Sequence, residues 1–344
     1  MTSEFDLIKQ HFIRPHRHTA SSADLGIGDD AALMHVSNGM QLAVSTDMLV
    51  AGTHFLPDCA AYDIGWKALA VNISDMAAMG AQAKWATMAI ALPTQLAKNQ
   101  AWLSEFSAGF FACAHQFCID LIGGDTTRGP LNISITIMGE VPIGAALRRD
   151  GAKAGDDIWV SGSLGDAALA LAIMQKRYTI NNHWLEDELS KWLPSLNRPQ
   201  PRVALGLALR GLAHSCIDIS DGLLADLGHI LAASHLSATI QLEQLPISFY
   251  NKIHLHELPI QHCVLAGGDD YELCFTAPKS AHNAVNAIGK IQNLSLTCIG
   301  QTSALNFVHD AVKNEAGKSI DSNVHIFYKN KPLMMTNKGF NHFG

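Results

Sequence analysis

The stretch "AAYDIGWKALAVNISDMAAMG", residues 60–80, decides how this chain is read. It is rich in Ala, with Leu and Met, all strong helix formers, and its apolar character continues on every side. Gly80 supplies the residue type that commonly follows a helix end. A buried helix closed by Gly80 is therefore expected, with Asp75 inside it. An unpaired carboxylate among apolar side chains costs several kcal/mol, so either a neighbouring backbone group satisfies Asp75 or a bound cation removes the penalty.

Working outward, "KWATMAIALP" (84–93) reads as a buried strand stopped by proline, and residues 96–117 as a helix. "CIDLIGGD" (118–125) reads as a strand ending in a glycine turn, and "LNISITIMGEV" (131–141) alternates as another strand. Upstream, residues 4–13 form a short helix. Then "AALMHV" (31–36) and "QLAVST" (41–46) read as a strand pair joined by "SNGM", with Asp47 at the end of the second strand.

The polar, glycine-containing "ALRRDGAKAGD" (146–156) marks a domain boundary and divides the chain into 1–148 and 149–344. A second α/β series follows: strand "DIWVSG", turn "SLGD" and a helix from 166 to 176. A polar stretch (176–200) then leads through "NRPQPR" to a helix over 202–213. "CIDIS" (216–220) is a strand, "DGLLADLGHILAAS" (221–234) a helix and "ELCFTAP" (272–278) a strand. Both halves move from strand to Asp-bearing turn to helix, without a fixed-period repeat.

At 344 residues the chain suits two domains. Its net charge of -7 and lack of a basic cluster argue against a nucleic-acid or anionic-membrane surface. No apolar run approaches the ~20 residues of a membrane span, and the start lacks the apolar run of a signal peptide. A cytoplasmic location is expected. Seven cysteines without a C-x-x-C pair read as reduced, mostly buried thiols. The histidines show no H-E-x-x-H or other zinc spacing.

What the composition leaves open is a cation-assisted small-molecule site, and the aspartates point to one. They recur in "GIGDDAAL" (26–33), "VSTDM" (44–48), "GGDTTRG" (123–129), "IDISDGLLAD" (217–226) and "AGGDDYEL" (266–273). Each motif has an ordinary structural reading. "GGDTTRG" alone reads as a hairpin loop, and Ser220 or Asp221 as a cap of the following helix. The chemical readings are that glycines let backbone N–H groups approach phosphate, that Asp125 holds Mg2+, and that a helix N-terminus receives an anion. A P-loop is excluded, because "EAGKS" has Val312 where G-x-x-x-x-G-K-[ST] requires glycine. "SGSLGD" lacks the dinucleotide spacing that an NAD-dependent dehydrogenase would need. Mg2+ takes one or two carboxylates per ion, so several ions would account for the number of turn-borne aspartates.

The ordered set "GIGDDAA", "STDMLVAGTHF", "ALAVNISDMAAMGA", "LIGGDTTRGPL", "IDISDGL", "GGDDYEL" and "GFNHF" resembles the thiamine-monophosphate kinase family. That family lies in the superfamily of aminoimidazole-ribonucleotide synthetase and selenophosphate synthetase. The resemblance runs from Glu4 to Phe343. It implies an α/β (α+β) two-domain synthetase-like fold, with an N-terminal α/β domain forming a dimeric β-barrel and a C-terminal α/β domain. It also implies a homodimer that transfers the ATP γ-phosphoryl group to thiamine monophosphate.

By this resemblance Asp30, Ser45, Thr46, Asp47, Asp75, Asp125, Asp218 and Asp221 match Mg2+ ligands. Gly124, Asp125, Arg149 and Ser220 match ATP contacts, with Phe117 stacking near the adenine. His54, Asp269 and Phe340 match thiamine-substrate contacts. Asp269 stands where the family more often has Glu, which keeps the charge and shortens its reach. Phe117 and Phe340 stand where Tyr or Trp is common, which keeps stacking and loses a polar hydrogen bond. The competing readings are another ATP-dependent synthetase of the superfamily and a non-catalytic nucleotide-binding protein. Against the first, His54 and "GFNHF" fit the thiamine-phosphate branch, and residues 1–30 lack the reactive Cys expected of a selenophosphate synthetase. Against the second, the metal carboxylates are all retained.

Overall fold

Buried apolar helices and strands build two units, the first from residues 1–76, 81–146 and 197–203, the second from 77–80, 147–196 and 204–344. The structure, a computed structural model, describes residues 4–13, 23–179, 185–305, 312–313, 319–320, 323–335 and 339–340.

The N-terminal unit runs α1 (Glu4–His11), β1 (Met40–Val50), α2 (Ala61–Ala78), β2 (Gln82–Leu92), α3 (Thr94–Ala97), α4 (Gln100–Phe117), β3 (Asp120–Arg128) and β4 (Asn132–Pro142). The strands form one sheet in the order β1-β4-β2-β3, with β2 and β3 parallel. Helix α2 is the expected buried helix: Ala68, Leu69, Ile73 and Met76 are at most 1% exposed. It meets α4 at two glycines. A Cβ on Gly65 would lie 2.0 Å from the Phe106 carbonyl oxygen, and one on Gly109 would lie 1.9 Å from that of Tyr62. Only glycine lets these backbones approach so closely.

Three local expectations are corrected here. Residues 31–36 are not a strand. Leu33 alone pairs, with Leu25, in mutual backbone bonds of 3.1 and 2.9 Å that close "GIGDDAAL" into a loop. β1 instead pairs with the distant β4 over its whole length, so it needs no local hairpin partner, and Asp47 falls in mid-strand rather than at its end. The expected glycine turn is also strand. β3 continues through Gly123 and Gly124 to Arg128, with a register shift opposite Ala86 and Thr87. Lastly, the 96–117 helix is two helices, because Asn99 caps α4 by accepting the Trp102 N–H.

The C-terminal unit contains β5 (Asp157–Ser161), α5 (Asp166–Met174), α6 (Leu185–Asn197), α7 (Val203–Ala208), β6 (Ser215–Asp218), α8 (Leu223–Ser234) and β7 (Leu236–Gln241). It continues with α9 (Phe249–Ile253), α10 (Leu258–Ala266), β8 (Leu273–Ala277), α11 (His282–Gln292) and β9 (Leu296–Ala304). Last come β10 (Val312–Lys313), β11 (Ser319–Ile320), β12 (Val324–Tyr328) and β13 (Lys331–Leu333). Seven of these strands form a mixed sheet in the order β13-β12-β7-β9-β5-β8-β6. Its core includes Ile158, Val160, Leu164, Leu227, Ile230, Leu265 and Ile299. The polar 176–200 stretch carries α6, a helix the sequence reading did not assign. Among the described residues no helix is long and apolar enough to cross a membrane.

Candidate functional site

In the N-terminal unit, strand alternation decides which predicted ligands share a face. Ser45 and Asp47 face α2, and the Ser45 hydroxyl donates to Asp75 Oδ2 at 2.5 Å. Asp75 is therefore the half-buried carboxylate of this helix, held by a hydroxyl. One turn earlier stands the fully buried Asn72, which the sequence reading passed over. Its Oδ1 accepts the Asp47 N–H at 3.1 Å, and its Nδ2 donates to the Ala68 carbonyl at 3.0 Å. Asn72 and Asp75 thus fasten β1 to α2 at the two residues predicted to bind metal. Their i, i+3 spacing was the available signal. Thr46 turns the other way, and its hydroxyl is 2.9 Å from that of Thr136.

Asp30 is exposed on the 25–33 loop, where its N–H donates to Asp29 Oδ1 at 2.9 Å. Gly124 and Asp125 lie across the sheet. Asp47, Ile135, Met88 and Gly124 occupy one row through the four strands. With strands ~4.8 Å apart, Gly124 is roughly 14 Å from Asp47, too far for Asp47 and Asp125 to share an ion. A Cβ on Gly124, whose φ is +150°, would lie 1.9 Å from the Met88 carbonyl oxygen. Phe117 ends α4, and two residues separate it from the start of β3. His54 Nδ1 accepts the Val50 N–H at 2.9 Å, which places the proton of the neutral ring on Nε2.

In the C-terminal unit the structure brings together Asp218, Ser220, Asp221, Asp269 and Phe340. β6 ends at the buried Asp218. In the loop beyond it, Asp226 Oδ2 accepts the N–H groups of Ser220, Asp221 and Gly222, each at 3.1 Å. Neither Ser220 nor Asp221 caps α8; its N-cap is Gly222, without a side-chain cap. These three amides, at the helix start where an anion was expected, are thus taken up by Asp226. The carbonyls of the same loop are also engaged: Ile219 O accepts from Tyr271 N at 2.8 Å, Ser220 O from Asp269 N at 2.9 Å and Asp221 O from Phe340 N at 3.0 Å. Phe340 is half exposed. Residues 341–343 of "GFNHF" lie outside the described residues.

Asp269 has φ +70° and Tyr271 φ +49°. Asp tolerates the left-handed region better than most side chains, which gives a backbone reason for Asp where Glu was expected. The Tyr271 hydroxyl donates to Asp269 Oδ1 at 3.2 Å. The next residue, Asp270, accepts the Gly165 N–H at 2.9 Å. Burial holds the Asp270 carboxyl well above the usual range. Burial, with the charge of Asp221 adding to it, likewise pushes Asp226 up to about 7 against the pull of its three N–H bonds.

Arg149 is exposed in the short turn 149–151, whereas the neighbouring Arg148 is bound to Asp150 at 2.8 and 2.5 Å. The turn is fixed against β6 and α8: Cys216 N donates to Arg148 O at 3.2 Å and the Ser234 hydroxyl donates to Arg149 O at 3.0 Å. Among the described residues, no three His, Cys, Asp or Glu side chains are grouped to hold a metal ion. Mg2+ does not require such a group, since it completes its octahedron with water and phosphate oxygens. The donors at the predicted positions are all oxygens, which suits Mg2+ and does not suit zinc.

The AIR synthase related protein N-terminal domain model matches residues 28–141, and its C-terminal domain model matches residues 153–306. Thiamine-monophosphate kinase of Escherichia coli is 44% identical over 345 residues, covering 99% of this chain and 98% of that protein. A crystal structure of thiamine-monophosphate kinase from Stenotrophomonas maltophilia is 45% identical, with a TM-score of 0.78, covering 92% of this chain and 93% of the other. AaThiL complexed with AMPPCP and TMP is 29% identical, with a TM-score of 0.71, covering 90% and 89%. The chain belongs to the AIR synthase related family and, within it, to the thiamine-monophosphate kinases.

Proposed function

We propose that this chain transfers the γ-phosphoryl group of ATP to thiamine monophosphate, producing thiamine diphosphate and ADP. The observation that carries the reading is likeness over the whole chain, 44% identity across 99% of it, to an enzyme of that activity. The AMPPCP and TMP held by AaThiL support ATP and thiamine monophosphate as the substrate pair.

The acceptor is a phosphate monoester whose second pKa is about 6, so near neutral pH it is mostly a dianion and needs no base from the protein. The bond between the γ-phosphorus and the β,γ-bridging oxygen breaks, and its electron pair leaves with ADP. A new bond joins the γ-phosphorus to an acceptor phosphate oxygen. What the protein must supply is alignment of two anions and relief of their repulsion.

Asp30, Ser45, Thr46, Asp47, Asp75, Asp125, Asp218 and Asp221 would hold several Mg2+ ions, with Asp30, Asp47, Asp75 and Asp218 serving the transfer most directly. Bound there, Mg2+ supplies charge neutralisation of the phosphates. Gly124, Asp125, Arg149 and Ser220 contact ATP, and Phe117 stacks on the adenine. His54 offers a neutral Nε2–H, and Asp269 and Phe340 contact thiamine monophosphate. Residues 1–148 are the ATP, Mg2+ and dimerisation domain, and residues 149–344 the domain with the substrate-contacting tail.

A second copy of the chain covers the open face of the N-terminal sheet. There Leu42, Val44 and Met48 of the edge strand β1 are 43%, 56% and 55% exposed. An apolar stripe on an open strand is a liability that subunit contact removes. The enzyme is placed in the cytoplasm, with its ATP supply.

The test is incubation of purified protein with Mg2+, ATP and thiamine monophosphate, with free thiamine as a parallel acceptor, followed by chromatography. Thiamine diphosphate from the monophosphate alone is expected. Its absence from a folded, ATP-binding protein would refute the reading. Light scattering is expected to give twice the 37.1 kDa chain mass, and a monomer would refute the dimer.

A further inference from the structure

The loop after β6 has an unusual division of its backbone groups. The N–H groups of Ser220, Asp221 and Gly222 converge on one oxygen of Asp226, while the carbonyls of Ile219, Ser220 and Asp221 are held by Tyr271, Asp269 and Phe340. Asp226 is itself buried, at 3% exposure, in the first turn of α8. Its hydrogen bonds to Ser220 and Asp221 are made to their backbone N–H groups rather than to their side chains.

We propose that Asp226 is the positioning residue for the predicted site residues carried by the C-terminal unit. By drawing three successive amides inward it sets the peptide planes of the loop. The carbonyls then meet the Asp269 and Phe340 amides, and the Ser220 and Asp221 side chains leave on the remaining side. A single buried carboxylate thereby orders the Mg2+- and ATP-contacting residues together with the two substrate-contacting ones. The functional part of this inference rests on the roles given under Proposed function; the structural part does not.

Asp226→Ala removes the acceptor. Asp226→Asn keeps an oxygen of nearly the same shape that can still accept, with bonds weaker than those of the ionised carboxylate. The first measurement is hydrogen–deuterium exchange on the free full-length protein. In Asp226→Ala the amides of Asp269, Tyr271 and Phe340 are expected to exchange at least roughly tenfold faster, the factor that follows from losing one hydrogen bond's worth of local stability. The strand amides of Ile158 and Phe275 are expected to keep their rates.

The second measurement is steady-state transfer at varied Mg2+ and thiamine monophosphate. Asp226→Ala is expected to raise both half-saturating concentrations and lower kcat, each by roughly tenfold, with Asp226→Asn recovering part of each loss. Unchanged exchange at 269, 271 and 340 would overturn the proposal. So would uniform acceleration of all amides with Asn no better than Ala, since that describes general destabilisation. If the wild-type protein forms no thiamine diphosphate, the functional reading fails by that result alone, and the exchange comparison still decides the role of Asp226.

Discussion

Replacing Asn72 with Ala tests whether the N-terminal carboxylates are held by the fold or only carried on it. The amide is fully buried and makes two bonds, to the Asp47 N–H at 3.1 Å and the Ala68 carbonyl at 3.0 Å. The Ala68 carbonyl keeps its own helical partner, so the larger loss is at Asp47. Leaving that backbone donor without an acceptor costs about 1–3 kcal/mol, and the space vacated by a carboxamide adds about 1 more. A loss of about 2–4 kcal/mol in unfolding free energy is therefore expected from the urea midpoint. Activity is expected to fall further than stability explains, because β1 is released from α2 at the residue that carries Asp47. A displacement of about 1 Å at a reacting centre costs on the order of a hundredfold in rate. The control is Ile73→Ala, at the next position of the same helix and also fully buried, with an expected loss of about 2–5 kcal/mol. Both variants are assayed for thiamine diphosphate formation per folded molecule, at a temperature where each is folded. Ile73→Ala should retain most of its turnover, and Asn72→Ala should lose about a hundredfold in kcat/KM. Equal turnover in the two variants, or an unchanged midpoint for Asn72→Ala, would refute the reasoning.

Asp75→Asn keeps an acceptor for the Ser45 hydroxyl and should fold normally, yet lose at least about a hundredfold in turnover, because an amide is a poorer Mg2+ ligand; near-normal turnover would assign Asp75 to packing. Gly124→Ala places a Cβ against the Met88 carbonyl in a left-handed conformation, and a loss of about 3 kcal/mol by chemical denaturation is expected. Burial raises the carboxyls of Asp166, Asp226 and Asp270, Asp226 to about 7. Such groups bind more protons folded than unfolded, so their contribution is complete below about pH 4 and fades as pH rises through the folded values. Wild-type protein should accordingly lose more unfolding free energy between about pH 4 and 7 than Asp226→Asn does; parallel pH profiles for the two would contradict the assignment. Burial also raises the thiols of Cys59, Cys113, Cys216, Cys263, Cys274 and Cys298, whereas Cys118 is exposed. A thiol reagent at pH 8 should label one cysteine rapidly in the native protein, at Cys118, and all seven after unfolding.

Helix α2 was legible because composition alone requires its burial, and α8 because "DGLLADLGHILAAS" follows a strand with a turn between. The partner of β1 was not legible. Local sequence proposed residues 31–36, eight or so positions away, whereas the ladder is made with β4 about ninety residues later. Nothing in a window of ten residues carries that choice. β3 was cut short for a related reason: two glycines are ordinary turn residues until a neighbouring strand claims them. In the C-terminal unit β7 and β9 mix Ser, Thr and Gln with apolar residues, and α6 contains Pro194, so neither pattern announced itself. The resemblance supplied the site residues, and the structure then sorted some by face. Ser45 and Asp47 lie together, while Thr46 between them points away.

The aspartates that first suggested a cation-assisted site divide into two kinds. Asp29, Asp226 and Asp270 spend an oxygen on backbone N–H groups, of Asp30, of the 220–222 loop and of Gly165. Asn72 does the same for Asp47 with a neutral oxygen. In three of these four cases the amide belongs to a residue assigned to metal or nucleotide, or to its immediate neighbour. The exception, Gly165, ties down Asp270 beside Asp269. A site that must concentrate negative side chains loses stability to their mutual repulsion, and flexible loops would relieve that repulsion by spreading them apart. An internal acceptor on the backbone prevents the spreading without adding a cation that would compete for the carboxylates. Motif spacing cannot separate the two kinds, because both are acids in glycine-rich turns. What separates them is which way the neighbouring amides point.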